Sequence, residues 1–330
     1  MLRPRSPGPF EPETVKASPS TPILPGARRP LFSPALLDPR RLMRQFDPTS
    51  RVVRDGGGMP DSLGRIGTLE VRLARTTKDI RRAQRLRFKV FFNEMSATPN
   101  ARAFVSRRDI DPFDRICDHL LVIDHAGKVN RFGKLKPKVV GTYRLLRSDI
   151  AALNGTDFYT AGEYDLTALM AANAGLRMLE LGRSCVLQPY RSKRVVDLLW
   201  QGLLQYIRHH RIEVMFGCAS FEGTDPAEHR LALAFLHHHA QAPAALAARA
   251  LPWRYTAMNL IDKEAIDLKG AMKALPPLIK GYLRLGATFG EGAVIDRQFG
   301  TTDVFVAIRV KDIDPRYLAH YGGESEKSAA

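Results

Sequence analysis

Apolar and polar residues alternate from Thr68 to Arg75, with Leu69, Val71 and Leu73 on one side, which predicts a strand. Thr76-Thr77-Lys78-Asp79 is a helix start, and Ile80, Ala83, Gln84, Arg87, Phe88, Phe91 and Phe92 then fall on one helical stripe. Asp118–Asp124 and Lys138–Arg147 are mostly apolar and read as an antiparallel strand pair around a basic loop. Short helical pieces are expected within 149–172. Met178–Leu187 is β-compatible and stops at Pro189. Val195, Val196, Leu198, Leu199, Leu203, Leu204 and Ile207 then predict an amphipathic helix. Ile212–Phe221 reads as a buried strand, and Asp225-Pro226-Ala227-Glu228 opens a helix running to about His239. Gln241–Ala250 is ambiguous. Pro276-Pro277 with Gly281, Gly286, Gly290 and Gly292 marks a loop-rich region, before a last strand over Thr301–Val310 and a short helix over Ile313–Tyr321.

This order predicts one mixed α/β layer structure over 68–321. Residues 1–67, rich in Pro, Arg and Gly, are expected to be a disordered basic leader, as a solvated tail or a tether to an anionic surface; 322–330 are expected to be a disordered tail. The βαβ alternation and G-x-G-x-x-G of a dinucleotide binder are missing, as are G-x-x-x-x-G-K-[ST] and G-x-S-x-G.

Charge sharpens the picture. The formal net charge of +16 over 330 residues favours an anionic partner. Aromatic residues are not interleaved with the basic ones, and no zinc-finger spacing occurs, so nucleic acid is not expected. No run is long enough to span a bilayer and no apolar signal opens the chain. Cys117, Cys185 and Cys218 lie in apolar stretches, as reduced thiols of a cytosolic protein would. The run His237–His239 reads as a solvated helix face, and no metal is expected. Glu180 and Arg183 stand out, because they interrupt an otherwise apolar strand, where a charge is costly unless paired or used. At a period of two they face opposite sides.

Several short motifs resemble the acyl-homoserine-lactone synthases: Arg87-Phe88-x-Val90-Phe91, Asp111-x-Phe113-Asp114, Gly141-x-x-Arg144-Leu145-Leu146 and Glu180-x-Gly182-Arg183. A closer resemblance, to the bacterial L-ornithine Nα-acyltransferases, covers nearly the whole core. It rests on Leu179–Val186, Tyr190-Arg191, the stretch Leu275–Gly286 (LPPLIKGYLRLG), Asp296 and Thr301–Val304. The resemblance implies a GNAT-like fold: a mixed, largely antiparallel sheet flanked by helices, with a splayed central strand pair. Acetyl-CoA enzymes of this fold carry a Q/R-x-x-G-x-G/A loop after the central strand. Here that loop is Gln188-Pro189-Tyr190-Arg191-Ser192-Lys193-Arg194, basic and without glycine.

The implied reaction moves a 3-hydroxyacyl chain from acyl carrier protein to the α-amine of L-ornithine, the first step of ornithine-lipid synthesis. No cofactor is expected beyond the phosphopantetheine carried by the donor protein. Glu180 and Arg183 are the expected catalytic residues, Glu180 as base. Arg87, Arg144 or Arg183 would take the acceptor carboxylate, and Asp111 or Asp114 its distal ammonium; the alternative is that these charges pair with one another and pin a loop. Ser184 to Val186 would supply oxyanion donors, and Arg191, Lys193 and Arg194 would meet the acidic carrier protein. Cys185 is expected to pack rather than act as nucleophile. The expected location is cytoplasmic, with peripheral contact to the inner membrane face. Leu275–Leu285 would lie on lipid, line an acyl tunnel or pack in the core. The competing expectations are a lactone-type signal synthase and a non-catalytic basic module binding membrane or nucleic acid.

Overall fold

The computed structural model describes residues 58–95, 97–126, 133 and 136–317. Residues 1–57 of the expected leader, the tail after 321 and the end of the expected closing helix lie outside them. The leader reading ends too late: β1 (Gly64–Ile66) pairs with β2 (Leu69–Leu73), and Leu63 is buried in the core. Helix α1 (Thr77–Phe88) begins where Thr76 accepts the Asp79 amide, as the sequence implies.

The antiparallel pair β3 (Asp118–Asp124) and β4 (Lys138–Arg147) has the bounds read from the sequence. It is followed by β5 (Met178–Val186), α2 (Lys193–His210), β6 (Val214–Glu222) and α3 (Arg230–His239). The region read as loop contains α4 (Pro277–Arg284) and a full strand, β7 (Thr288–Asp296), ahead of β8 (Thr301–Arg309). The sheet runs β1-β2-β3-β4-β5-β6-β8-β7, with short segments at Arg249–Ala250 and Tyr164–Asp165 beyond β7. Along β1 to β8 every pairing is antiparallel except β5 with β6.

That parallel pairing is short. It joins Met178–Leu181 to Val214–Gly217 and then stops, while β5 continues on β4 and β6 on β8. The two strands therefore part beyond Leu181 and Gly217, leaving the 182–186 edge of β5 without a ladder partner on the β6 side. Gly217 permits the close approach at this branch, because a Cβ there would strike the Leu181 carbonyl oxygen.

The two faces of the sheet differ at the branch. On one, α2 and α4 cover Val71, Leu120, Tyr143 and Leu181, and the Tyr143 and Tyr282 hydroxyls share a 2.7 Å hydrogen bond. On the other, α1 and the 109–115 and 158–163 segments cover a set of buried charges. Leu275–Leu285, one of whose expected places was a lipid surface, buries Leu275, Ile279, Tyr282 and Leu285 in the core.

Candidate active site

The site is built around an irregularity in β5. Between Thr142/Cys185 and Arg144/Gly182 the β4–β5 register shifts, so Arg183 and Ser184 together oppose Tyr143. Arg183 sits at φ 50°, in the left-handed region that side chains disfavour by about 1–2 kcal/mol. The bulge reverses the period-two expectation. Arg183 now lies on the same face as Glu180, and both meet Tyr159: Arg183 through the ring and hydroxyl, Glu180 through the backbone amide.

Three guanidinium groups and three carboxylates interlock there. Arg87, 0% exposed, donates to both oxygens of Asp114 at 2.9 and 2.7 Å and to the Asp109 carbonyl at 2.6 Å, with its Nε 2.8 Å from the Asp109 carboxylate. Asp111 receives Arg144 and Arg183, each at 3.0 Å, and Arg183 also lies 3.3 Å from Asp109. Asp111 and Asp114 form a capping box on the Pro112–Arg115 turn. Burial works against the charge on Asp114, but the Arg87 guanidinium holds its carboxyl well below the usual range. The cluster is thus self-neutralising, and the paired, loop-pinning reading is the one realised for Arg87, Asp111 and Asp114. Arg87 in particular has no exposed surface with which to fork onto a substrate carboxylate. Arg183 reaches the surface furthest, its side chain 13% exposed against 0% for Arg87 and 4% for Arg144.

Glu180 is 5% exposed, and its two oxygens accept the Thr160 and Tyr159 amides at 2.6 and 3.0 Å. Burial raises its pKa despite these bonds. With both oxygens engaged it holds the 158–162 turn. Around Arg183 stand Tyr159, Phe113 and Phe299, the last with its ring centroid 4.6 Å from the guanidinium carbon. Helix α1 widens into a π turn over Lys89–Glu94, which places Phe91 and Phe92 against Phe299.

Sequence reasoning missed a second charged group next to this one. Glu163, Asp296 and Asp303 offer carboxylate oxygens all within 4.8 Å of one another. Asp303 lies mid-strand in β8, so a charge inside an apolar run was the available signal. Asp296 and Asp303 both fall in the stretches that carry the family resemblance, which did not assign them a role, and Glu163, from a distant segment, gave no signal. Burial raises the pKa of Glu163 even though Arg254 stands 3.6 Å away.

On the α2/α4 face, a small apolar cavity of about 20 Å³ lies where the strands part, lined by Leu181, Trp200, Gly217, Cys218, Tyr282 and Leu285. Ser184 and Val186 lie on the unpaired stretch of β5, both half-buried. Past it, Arg191 is tied to Glu94 at 2.9 Å and to the Val186 carbonyl at 3.1 Å, while Lys193 and Arg194 are exposed at the start of α2. Burial pushes the Cys185 thiol up to about 12, so it is protonated near neutrality and packs as expected.

Comparison with known proteins agrees with this architecture. The family model described as an acetyltransferase (GNAT) domain matches residues 86–201, from the end of α1 to the middle of α2. An L-ornithine N(α)-acyltransferase of Brucella abortus (strain 2308) is 54% identical over 265 residues, 80% of this chain and 92% of the relative. One from Agrobacterium fabrum is 49% identical over 282 residues, 86% of this chain and 94% of its own. Among solved structures, FeeM, an N-acyl amino acid synthase from uncultured soil microbes, aligns at a TM-score of 0.41 and 9% identity over 76% of this chain and 94% of that one, a loose likeness. A GNAT-like N-acyltransferase by fold, the chain belongs to the L-ornithine N(α)-acyltransferase family.

Proposed function

We propose that this enzyme transfers a 3-hydroxyacyl chain from acyl carrier protein to the α-amine of L-ornithine, giving lyso-ornithine lipid. The observation that carries the reading is the parting of β5 from β6 beyond Leu181 and Gly217, with an apolar cavity on one face of the branch and a charged site on the other. The relatives, which are L-ornithine N(α)-acyltransferases, suggest the acceptor. A thioester seated at the branch would place its chain toward Leu181, Tyr282 and Leu285. The present free volume holds about one water, so a long chain requires α4 to give way.

The amine attacks the thioester carbonyl, a C–N bond forms, the C–S bond breaks, and the pantetheine sulfur leaves as thiolate and takes up the proton that the attacking nitrogen loses. The unpaired edge of β5 from Ser184 to Val186 offers backbone N–H groups to the oxyanion. Arg183, the most exposed of the interlocked arginines, meets the acceptor carboxylate. The α-amine arrives as an ammonium near neutrality and gives up a proton before it attacks. Glu180 then acts by holding Tyr159 against Arg183.

Lys193 and Arg194, with Arg191 at their side, present positive charge to the acidic carrier protein. Contact with an anionic membrane falls to another surface. On the short helix Ala101–Ser106, Phe104 and Val105 are 61% and 83% exposed, and Arg81, Arg85, Arg102 and Arg108 crowd one another nearby. The test is incubation with 3-hydroxyacyl carrier protein or the matching CoA thioester and a panel of amino acids, followed by mass spectrometry of the extracted lipid. The expected product is acyl-ornithine from the carrier-protein donor; a lactone, or acylation of other amino acids in preference to ornithine, would overturn the assignment.

A further inference from the structure

The carboxylates Glu163, Asp296 and Asp303 are drawn from the 159–163 turn and from the adjoining strands β7 and β8. Among the described residues, nearby cations do not balance them. Arg254 stands 3.6 Å from Glu163, and the field of Arg183 also reaches Glu163. Asp296 spends one oxygen on the Gln298 and Phe299 amides. Asp303 is 7% exposed, and its Oδ1 accepts no hydrogen bond among the described residues although Ser220 and Thr301 lie beside the carboxylate. A buried carboxyl oxygen short of a donor, beside two further carboxyls, either keeps a proton or takes a cation. Burial first, and then the neighbouring Glu163 carboxylate, push Asp303 up to about 7.

A near neighbour of the cluster fits the same ligand. Asp296 is half-buried and stands at the head of a turn ending in Phe299, whose ring lies on Arg183. One turn therefore borders both the guanidinium and the acidic lobe. A zwitterion with a second amine at the end of its side chain presents a carboxylate and a distal ammonium, complementary to these two lobes in that order.

We propose that Glu163, Asp296 and Asp303 form the binding site for the distal ammonium of the amino-acid acceptor and set the selectivity of the enzyme for a diamino acid over a neutral one. This rests on the acceptor reading given above and supplies its specificity element. The role expected of Asp111 or Asp114 passes to these residues, because the arginines already occupy that pair.

The experiment compares L-ornithine with L-norvaline, which has the same carbon chain and no distal amine, at a fixed concentration of acyl carrier protein donor. The full-length protein and the variants Asp303→Asn, Glu163→Gln and Asp296→Asn are assayed, with thermal unfolding as a folding control. A site that hydrogen-bonds a substrate N–H rejects the analogue lacking it by about 10⁴-fold. The ratio of kcat/KM for ornithine over norvaline should fall about 10²-fold or more in Asp303→Asn, mainly through KM for ornithine. Asp296→Asn, at the half-buried edge of the cluster, should lower the same ratio and keeps the test open if Asp303→Asn does not fold. Calorimetric titration of the free protein with ornithine should show binding that Asp296→Asn weakens. If wild type acylates ornithine and folded variants keep its selectivity ratio, the ammonium site is refuted and the acceptor reading stands. If wild type acylates no ornithine, the acceptor reading falls and takes this site with it. Stabilisation of wild type, and not of Asp303→Asn, by millimolar Mg²⁺ or Ca²⁺ would give the cluster to a divalent cation and overturn the proposal.

Discussion

Replacing Arg87 with Met tests whether the interlocked charges hold the site together. Arg87 makes hydrogen bonds of 2.9, 2.7 and 2.6 Å to Asp114 and the Asp109 backbone, and no water reaches it at 0% exposure. Methionine restores most of the stem but leaves Asp109 and Asp114 buried without their chief counter-ion. Removing one partner of a buried pair costs about 3–5 kcal/mol. Here the lower end applies, because Gln84 still donates to Asp114 at 2.8 Å and Arg144 remains 3.7 Å away. A loss of about 3 kcal/mol in a domain of this size corresponds to a fall in Tm of about 6–12 °C. Urea unfolding followed by far-UV circular dichroism at neutral pH measures it. The pH dependence gives an independent check. Because Arg87 holds the folded Asp114 well below its unfolded pKa of about 3.9, the stability it contributes is fully present above that value and is lost as pH falls below it. The gap between wild type and Arg87→Met should therefore be widest near neutrality and shrink in acid. A gap below about 1 kcal/mol at neutral pH, the scale of an exposed pair, or one that widens in acid, would refute the reasoning.

Three further outcomes follow from the same geometry. Glu180→Gln keeps one acceptor for two amides and should cost about 1–3 kcal/mol of stability; kcat should fall while the pH–rate profile keeps its shape, whereas loss of an ionisation from that profile would make Glu180 the base after all. Cys185→Ala should leave kcat within about twofold, since the pathway needs no thiolate and the thiol is raised to about 12; abolished turnover would argue for an acyl-enzyme. Phe104→Asp with Val105→Asp should abolish co-flotation with anionic liposomes and leave acylation of soluble donor intact; undiminished flotation would place membrane contact elsewhere.

The parts of this fold that could be read from sequence share a physical signature. β3 and β4 are apolar runs closed by charged residues at both ends, and their bounds match the reading. β7 was hidden by its own glycines. A Cβ at Gly290 would meet the Ala248 carbonyl and Phe305, and Gly292 has φ 79° beside Tyr255, so the glycines mark close approach within a buried strand rather than a loop. The site divides in the same way. Arg87, Asp111, Asp114, Arg144, Glu180 and Arg183 do come together, because local motifs carried them. Their pairing could not be seen, since a single register shift at Arg183 moved one charge to the other face. The acidic lobe joins residues 133 and 140 positions apart in the chain (163 to 296 and 163 to 303), which only topology can do.

The account is tested most directly by a single turnover of 3-hydroxyacyl carrier protein with L-ornithine carrying ¹⁵N at the α position alone. The predicted result is one amide per carrier thiol released, with the label in the amide. An intact thioester, or an acyl group on the unlabelled distal nitrogen, would contradict both the reaction and the way the acceptor is held.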